Sequence, residues 1–528
     1  MRSAVLLLVG ALCVGLSDSA PRPQLQQGDD VFVTVETGGL RGVVSTSLNG
    51  TLYNKFVGIP FATPPLGNLA SGRVISHYEV YTFLVREVSF SQIPVTLIAL
   101  FRLSTCIKQC ATLGSVLSSS LEHTGVQLGG TDAPKGRGSE DCLYVNVYVP
   151  LVNDSSPLAV MVNIHGGGNT TGFSRFRRPD FFMDKGVLVV TFNYRLGSIG
   201  FLSLQNDDIP GNAGLKDQVF ALQWVQCNIA AFGGDPDKVT IFGESAGGSS
   251  TSHLFLSLAT KGLFRGAIME SGVANGNWSV EPSPREKAGG GARLPDAGRQ
   301  RFRRSCLLED RQPHRPHQGQ QPGPLRLPTV VTSPREKRIH RGIAFSPVIE
   351  PQSDTAVVTE SPGDILRVGR YNQVPVMAGV TSADGGVIVE WMRHFTGNAY
   401  VVVASGILTD EAYAADMREN FTLLVGSQLP VPTVEEQIEA AVKVENFYFE
   451  EKGFSVDNTQ AVYDMFSDMN FIQPTEEFAG TVANTSGLPV YLYYFDYDAY
   501  GANEYDASSQ QSHKFVNEGI TLCHPGGG

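Results

Sequence analysis

Long apolar runs, cysteine and charge are all scarce in this sequence. A helix that crosses a bilayer needs about 20 consecutive apolar residues. The apolar stretches Ala4–Leu16 and Val95–Leu103 both fall short of that, and no lipid-anchor tail is present. Seven cysteines in 528 residues are too few for a disulfide scaffold, and a chain of this length can build its own core. Cys106 and Cys110 have a spacing that suits a metal, but no second pair or histidine cluster completes a site. His314 and His317 sit in a Pro/Gln/Arg-rich stretch and complete none either. No metal or cofactor is therefore expected. Charged residues make up only 17%, with Lys plus Arg at 40 against Asp plus Glu at 52. A net charge of −12 excludes a generic nucleic-acid binder, which needs a basic face to displace counterions. A hydrophobic content of 42% excludes a wholly disordered chain.

Glycine, by contrast, is abundant at 57 residues. Without a collagen period, that implies many tight turns and close backbone approaches. At the N-terminus, Arg2, the apolar run Ala4–Leu16 and the small residues Ser17, Ser19 and Ala20 read as a secretory signal over 1–20, cleaved before the fold begins. Residues 21–528 are then expected to form one large domain of a secreted glycoprotein. Sequons stand at Asn49, Asn153, Asn277, Asn420 and Asn484. A sixth, at Asn169, directly follows a Gly triplet and is expected to be buried and unmodified.

Strand and helix patterns alternate along the chain. Phe32–Val35 and Leu40–Val44 flank Gly38-Gly39 and predict a hairpin. Leu158–Ile164, Val187–Asn193, Val239–Phe242, Ala267–Glu270 and Val374–Gly379 predict strands. Asn212 is placed to cap a helix over about 213–231. This alternation predicts an α/β fold, a mostly parallel sheet with helices on both faces. Two segments break the pattern. Residues 71–130 show no clear period, and 285–328 hold nine arginines against four acids among many Pro, Gly, Gln and His. The string Ser-Pro-Arg-Glu-Lys occurs at 283–287 and again at 333–337, with no physical reason on view.

The chemistry gathers at Gly243-Glu244-Ser245-Ala246-Gly247, which follows the β-branched run Val239-Thr240-Ile241 and opens a helix. A strand-turn-helix of this kind forces the serine into strained backbone and lifts its Oγ above the sheet edge. It also aims the Ala246 N–H and the helix N-terminus into the same space. His165-Gly166-Gly167-Gly168 ends an earlier strand. Glycines there can present bare N–H groups to a developing oxyanion, with Gly167 and Gly168 as donors beside Ala246. A phosphate-cradling loop would need Lys and Ser/Thr directly after the glycines, and they are absent.

With these motifs the sequence resembles the type-B carboxylesterases, which include cholinesterases and arthropod esterases and have the α/β-hydrolase fold. Further matching runs are Phe56–Ala62, Glu140–Tyr148, Asn193-Tyr194-Arg195-Leu196-Gly197, Gly211–Leu215 and Phe232–Gly247. The resemblance covers about 30–68, 136–287 and 340–520. It implies an order Ser…acid…His, with the acid in a Gly-rich loop after a late strand. Gly379–Gly385 fits that loop and offers Asp384, where most members carry glutamate. An aspartate can still fix an imidazole tautomer and stabilise the imidazolium. Ser271 matches a family position that bonds near the acid, and Cys142 matches a cysteine that bridges upstream, to Cys106 or Cys110. The tryptophan that cholinesterases place in that loop has no counterpart among Trp224, Trp278 and Trp391. Losing it removes about 1–2 kcal/mol of cation–π contact, which disfavours choline esters.

The resemblance also implies a Gly-x-x-His-Gly-x-Glu motif. Here Gly519-Ile520-Thr521-Leu522 puts leucine in the histidine's place; His524 is two residues late and His513 nine early. Relative to the family pattern the C-terminus reads as truncated. The expectation is a secreted serine carboxylesterase acting on a small ester through Ser245 and Asp384, with His524 as candidate base and activity weak. The alternative is a catalytically impaired, cholinesterase-like adhesion or binding protein. The basic stretch yields the first test. Its composition cannot bury enough surface to pack, so it is predicted to be an exposed, disordered loop, and brief trypsin digestion should cut first within 285–328. Resistance at its arginines would show that the segment is docked.

Overall fold

In the computed structural model the described residues are 25–63, 141–281 and 345–386, apart from a few short breaks, most of 418–496, and the backbone of 505–506 and 511–512. The expected signal, the segment 71–130, the basic loop 285–328, Cys106, Cys110, Leu522, His513 and His524 lie outside them.

Ten strands form one sheet: β1 Asp30–Val35, β2 Gly38–Thr46, β3 Leu52–Pro60, β4 Tyr144–Pro150, β5 Leu158–Ile164, β6 Leu188–Phe192, β7 Gly234–Glu244, β8 Gly266–Glu270, β9 Val376–Thr381 and β10 Val490–Phe495. Their order is β1-β2-β3-β4-β6-β5-β7-β8-β9-β10. The pairs from β1 to β6 are antiparallel and those from β6 to β10 parallel. The hairpin forms as predicted, Val35 opposite Gly38. In β6 every residue is buried, which requires cover on both faces and suits its unbroken Leu-Val-Val-Thr-Phe run. Helix Ala246–Leu256 packs on β5, β7 and β8, and helix Gln473–Ser486 on β9 and β10. The expected mostly parallel, helix-covered α/β sheet is the fold observed.

The order locates a crevice. From β5 the chain moves to one side to make β6, then returns to the other side of β5 to make β7. Ligands of open parallel sheets bind outside the carboxyl ends of the strands at such a reversal. Both chemistry-bearing loops leave those ends, His165–Gly168 after β5 and Ser245 after β7.

Asn212 corrects one expectation. Helix Ala213–Asn228 starts where predicted, then tightens into a 3-10 turn at Ile229–Phe232. Asn212 is in left-handed backbone at φ 55° and its side chain caps nothing. Its Nδ2 donates to Val348 O at 2.7 Å and Glu350 Oε1 at 2.9 Å, while its Oδ1 accepts from Val348 N at 2.8 Å. A distant segment wins the side chain from the local cap. The same segment is held at its start, where Glu281 N–H donates to Pro347 O at 2.8 Å.

Two buried ion pairs fix this helix. Lys216 Nζ meets Glu350 at 2.5 Å. Arg195 reaches Asp217 through Nε and Nη2, both at 2.8 Å, and through its own N–H at 2.9 Å. Both members of the second pair are buried. Bidentate geometry satisfies the charges here, but removing one partner strands the other, at about 3–5 kcal/mol. Asp217→Ala should therefore lower unfolding free energy by about that amount in urea titration; a loss near that of a surface pair would mean the cluster is solvated.

Candidate active site

Ser245 stands between β7 and helix Ala246–Leu256 at φ 58°, ψ −125°. This is sparsely populated backbone for a residue with a Cβ, and surrounding contacts hold it. Ser245 N–H donates to Glu270 O at 2.8 Å, and Ser249 N–H to Ser245 O at 2.9 Å. A Cβ on Gly247 would lie 2.0 Å from Ile164 O, one on Gly243 2.5 Å from that same atom, and one on Gly272 2.3 Å from Ser245 O. The glycines of Gly-x-Ser-x-Gly are thus required by the end of β5.

The glycine loop passes beside the serine. A Cβ on Gly166 would lie 2.5 Å from Glu244 O and 3.3 Å from Ser245 Cβ. Gly167 and Gly168 take φ values of 109° and 60°. Two carbonyls set the direction of the donors. Gly166 O meets His165 Nδ1 at 2.9 Å, and Gly167 O accepts from Thr170 N and Thr171 N at 3.1 and 3.0 Å. In a trans peptide the N–H points opposite the C=O, so the Gly167 and Gly168 N–H groups face away from these partners. Among the described residues no acceptor takes either N–H. Ala246, buried at the helix start, adds the third expected donor.

Asp384 follows β9 and is buried at 3% exposure. Its carboxylate accepts from Thr381 N at 3.0 Å and Thr381 Oγ1 at 2.6 Å. Burial pushes its pKa up to about 6, against these hydrogen bonds. The Ser271 hydroxyl pulls the value down through a contact without standard hydrogen-bond geometry, and the Glu244 charge pushes it up. Ser271, at φ 51°, donates its N–H to Gly379 O at 2.8 Å. The loop is pinned from behind: Gly385 N–H donates to Ser467 Oγ at 2.8 Å, where a Cβ would lie 2.3 Å from Ser467 N.

The structure thus brings Ser245, the Gly167–Gly168 loop, Ala246, Glu244, Ser271 and Asp384 to one sheet edge. The two described histidines, His165 and His253, are buried with pKa values near 4, and neither is a partner of Asp384. Cys142 is buried, and both cysteines expected to bridge to it lie outside the described residues. Asn169 is buried, with Nδ2 donating to Phe345 O at 3.1 Å, as expected for an unmodified sequon, whereas Asn49 and Asn484 are exposed. A cavity of about 510 Å³ borders the acid loop through Ser382 and Ser467, but Ser245 and the glycine loop are not in its wall. Sequence reasoning missed a row across the sheet. Glu244 pairs with Glu270, Glu270 with Gly379 and Gly379 with Tyr493, whose ring fills the space a Gly379 side chain would take. These carboxylates raise the Tyr493 pKa after burial does. Only the register reveals that row.

The sheet order and the strained serine at its reversal define an α/β-hydrolase. A family model described as the carboxylesterase family matches residues 104–518, and the chain belongs to that family of carboxylic ester hydrolases. It is 30% identical to venom carboxylesterase-6 of Apis mellifera over 473 residues, 88% of this chain and 75% of that protein. It is 41% identical to the juvenile hormone esterase of Tribolium castaneum over 250 residues, 47% of this chain and 37% of that one. A solved structure of juvenile hormone esterase from Manduca sexta, with OTFP covalently attached, is similar at a TM-score of 0.65 and 26% identity, over 95% of this chain and 86% of that one.

Asp384 gives a pH prediction for stability. A carboxyl whose pKa rises from 3.8 to about 6 on folding holds its proton in the folded state at pH values where the unfolded chain has released it. Stability then falls as pH rises from about 4 to 6, by about 3 kcal/mol in all. Asp384→Asn should match the wild type near pH 4 and become the more stable protein above pH 6 in urea titrations. A gap that does not change with pH would rule out a raised pKa.

Proposed function

We propose that this chain is a secreted carboxylic ester hydrolase that works through an acyl-enzyme on Ser245. The observation that carries the reading is the strained Ser245 at the sheet reversal, beside two glycine N–H groups that no acceptor takes among the described residues. Ser245 Oγ attacks the ester carbonyl and gives up its proton to a histidine oriented by Asp384. The N–H groups of Gly167, Gly168 and Ala246 hold the oxyanion. Its collapse releases the alcohol, which takes that proton, and water then frees the acyl group by the same route in reverse. Neither a metal nor a cofactor enters these steps. Secretion is supported by the signal-like residues 1–20 and by the similarity to a venom carboxylesterase.

The histidine is the weak point, and it favours a second reading, an impaired esterase-like binding protein. Leu522 occupies the family's histidine position and has no titratable group. His524, two residues on, is the candidate substitute. Loss of one member of such a triad lowers turnover by about 10⁴ to 10⁶. A fluorophosphonate probe should label this chain slowly, and Ser245→Ala should abolish the label. Hydrolysis of a short-chain aryl ester should be weak and rise steeply once residues 519–525 carry the Gly-x-x-His-Gly-x-Glu pattern. Ordinary esterase turnover that His524→Ala abolishes would make His524 the base; no label at all would favour the binding protein.

A further inference from the structure

The Asn193–Gly197 segment, which follows β6, has no part in the reaction just described, yet it grips the glycine loop along its length. Asn193 Oδ1 accepts from Ser174 N at 2.8 Å. Tyr194 OH donates to His165 O at 2.7 Å. The Tyr194 ring stacks on the His165 imidazole, centroids 4.4 Å apart and planes 20° from parallel. Gly197 N–H donates to Asn169 O at 2.6 Å. Resting on the hydrolase reading above, we propose that Tyr194 is a positioning residue for the oxyanion hole, which holds His165 by backbone and ring and through it aims the N–H groups of Gly167 and Gly168.

The coupling runs through two consecutive peptides. The His165 carbonyl, fixed by the Tyr194 hydroxyl, belongs to the 165–166 peptide. The next peptide joins Gly166 O to Gly167 N–H, and Gly166 O is taken by His165 Nδ1 at 2.9 Å. A carbonyl can only accept, so Nδ1 carries the hydrogen. Among the described residues, Nε2 is left as a buried acceptor with no partner. Burial keeps the imidazole neutral, with a pKa near 4, and pushes the Tyr194 phenol up, so neither group changes charge near neutral pH. Nor can the ring swing away. A Cβ on Gly172 would lie 2.4 Å from His165 Nδ1, and one on Gly247 3.0 Å from His165 O. Tyr194 is itself immobilised by its neighbour, because Arg195 is locked to Asp217 of helix Ala213–Asn228. The chain of contacts therefore joins a rigid helix to the two donors.

Tyr194→Phe keeps the stacked ring and deletes only the hydroxyl; Tyr194→Leu deletes both. The full 528-residue chain carries each variant. Turnover of a short-chain aryl ester and inhibition by an alkyl trifluoromethyl ketone, whose serine adduct bears an oxyanion, report on the hole. Amide hydrogen exchange over 165–172 reports on the loop without any chemistry. For Tyr194→Phe, kcat should fall about tenfold, short of the 10²- to 10³-fold loss of a whole donor, with KM unchanged. The ketone should weaken in proportion. Exchange should quicken over 165–172 but not over 239–256, and Tyr194→Leu should deepen each effect. Wild-type kcat together with unchanged exchange overturns the proposal. So does quickened exchange that spreads over 239–256, which marks a general structural role. If the wild-type chain neither turns over ester nor binds the ketone, the hydrolase reading fails, and exchange over 165–172 alone decides whether Tyr194 holds the loop.

Discussion

One carbonyl oxygen, that of Ile164, organises this molecule. It closes β5, and the turn after β7 folds down so tightly on it that neither Gly243 nor Gly247 has room for a Cβ. That closeness forces Ser245 to absorb the reversal at positive φ. It also places the next residues of each chain, the glycine loop after Ile164 and the helix after Ser245, within reach of one another. An arrangement of this kind is possible only between adjacent parallel strands, where both carboxyl ends open on the same side. The sheet order supplies that adjacency, since β5 and β7 are neighbours although β6 lies between them in sequence.

Around this contact the protein accepts unfavourable states and holds them with rigid surroundings. Asp384 is buried against its charge, beside the Glu244 that raises its pKa further. Thr381 and Ser467 keep the loop from opening to water. Ionising this carboxyl thus costs the fold stability, a kind of cost that functional sites commonly carry. Behind the loop, a core of Trp278, Phe421, Phe449, Phe454 and Phe471 lends the packing that resists its relaxation. Trp278 adds a bond from Nε1 to Asn470 O at 3.0 Å.

How much of this was legible in the sequence depended on whether the cause was local. The strands β5 and β6 announce themselves as apolar runs, and Ser245 as a turn between strand and helix. Asp384 could be placed in its loop by resemblance, but its burial could not be read, because the residues that cover it are distant. Asn212 was misread for the same reason: an Asn before a helix is a cap by local rules, and Val348 and Glu350 overrule them from over 130 positions away. The grip of Tyr194 on His165 depends on the register that sets Asn163 beside Thr191. A pairing of parallel strands leaves no mark in the spacing of either one.

The closure of Glu281 on Pro347, reinforced by Asn212 and Lys216 gripping Val348 and Glu350, has a consequence for variation. Both ends of the 282–346 stretch are fastened to the same rigid helix and core. The positions of residues 281 and 347–350 beside the sheet are thus set by bonds to Asn212, Lys216 and each other, whatever the sequence that joins them. Sequence change between the anchors is tolerable to the sheet so long as these few bonds survive, which places the constraint on Asn212, Lys216 and Glu350 rather than on the segment's own residues.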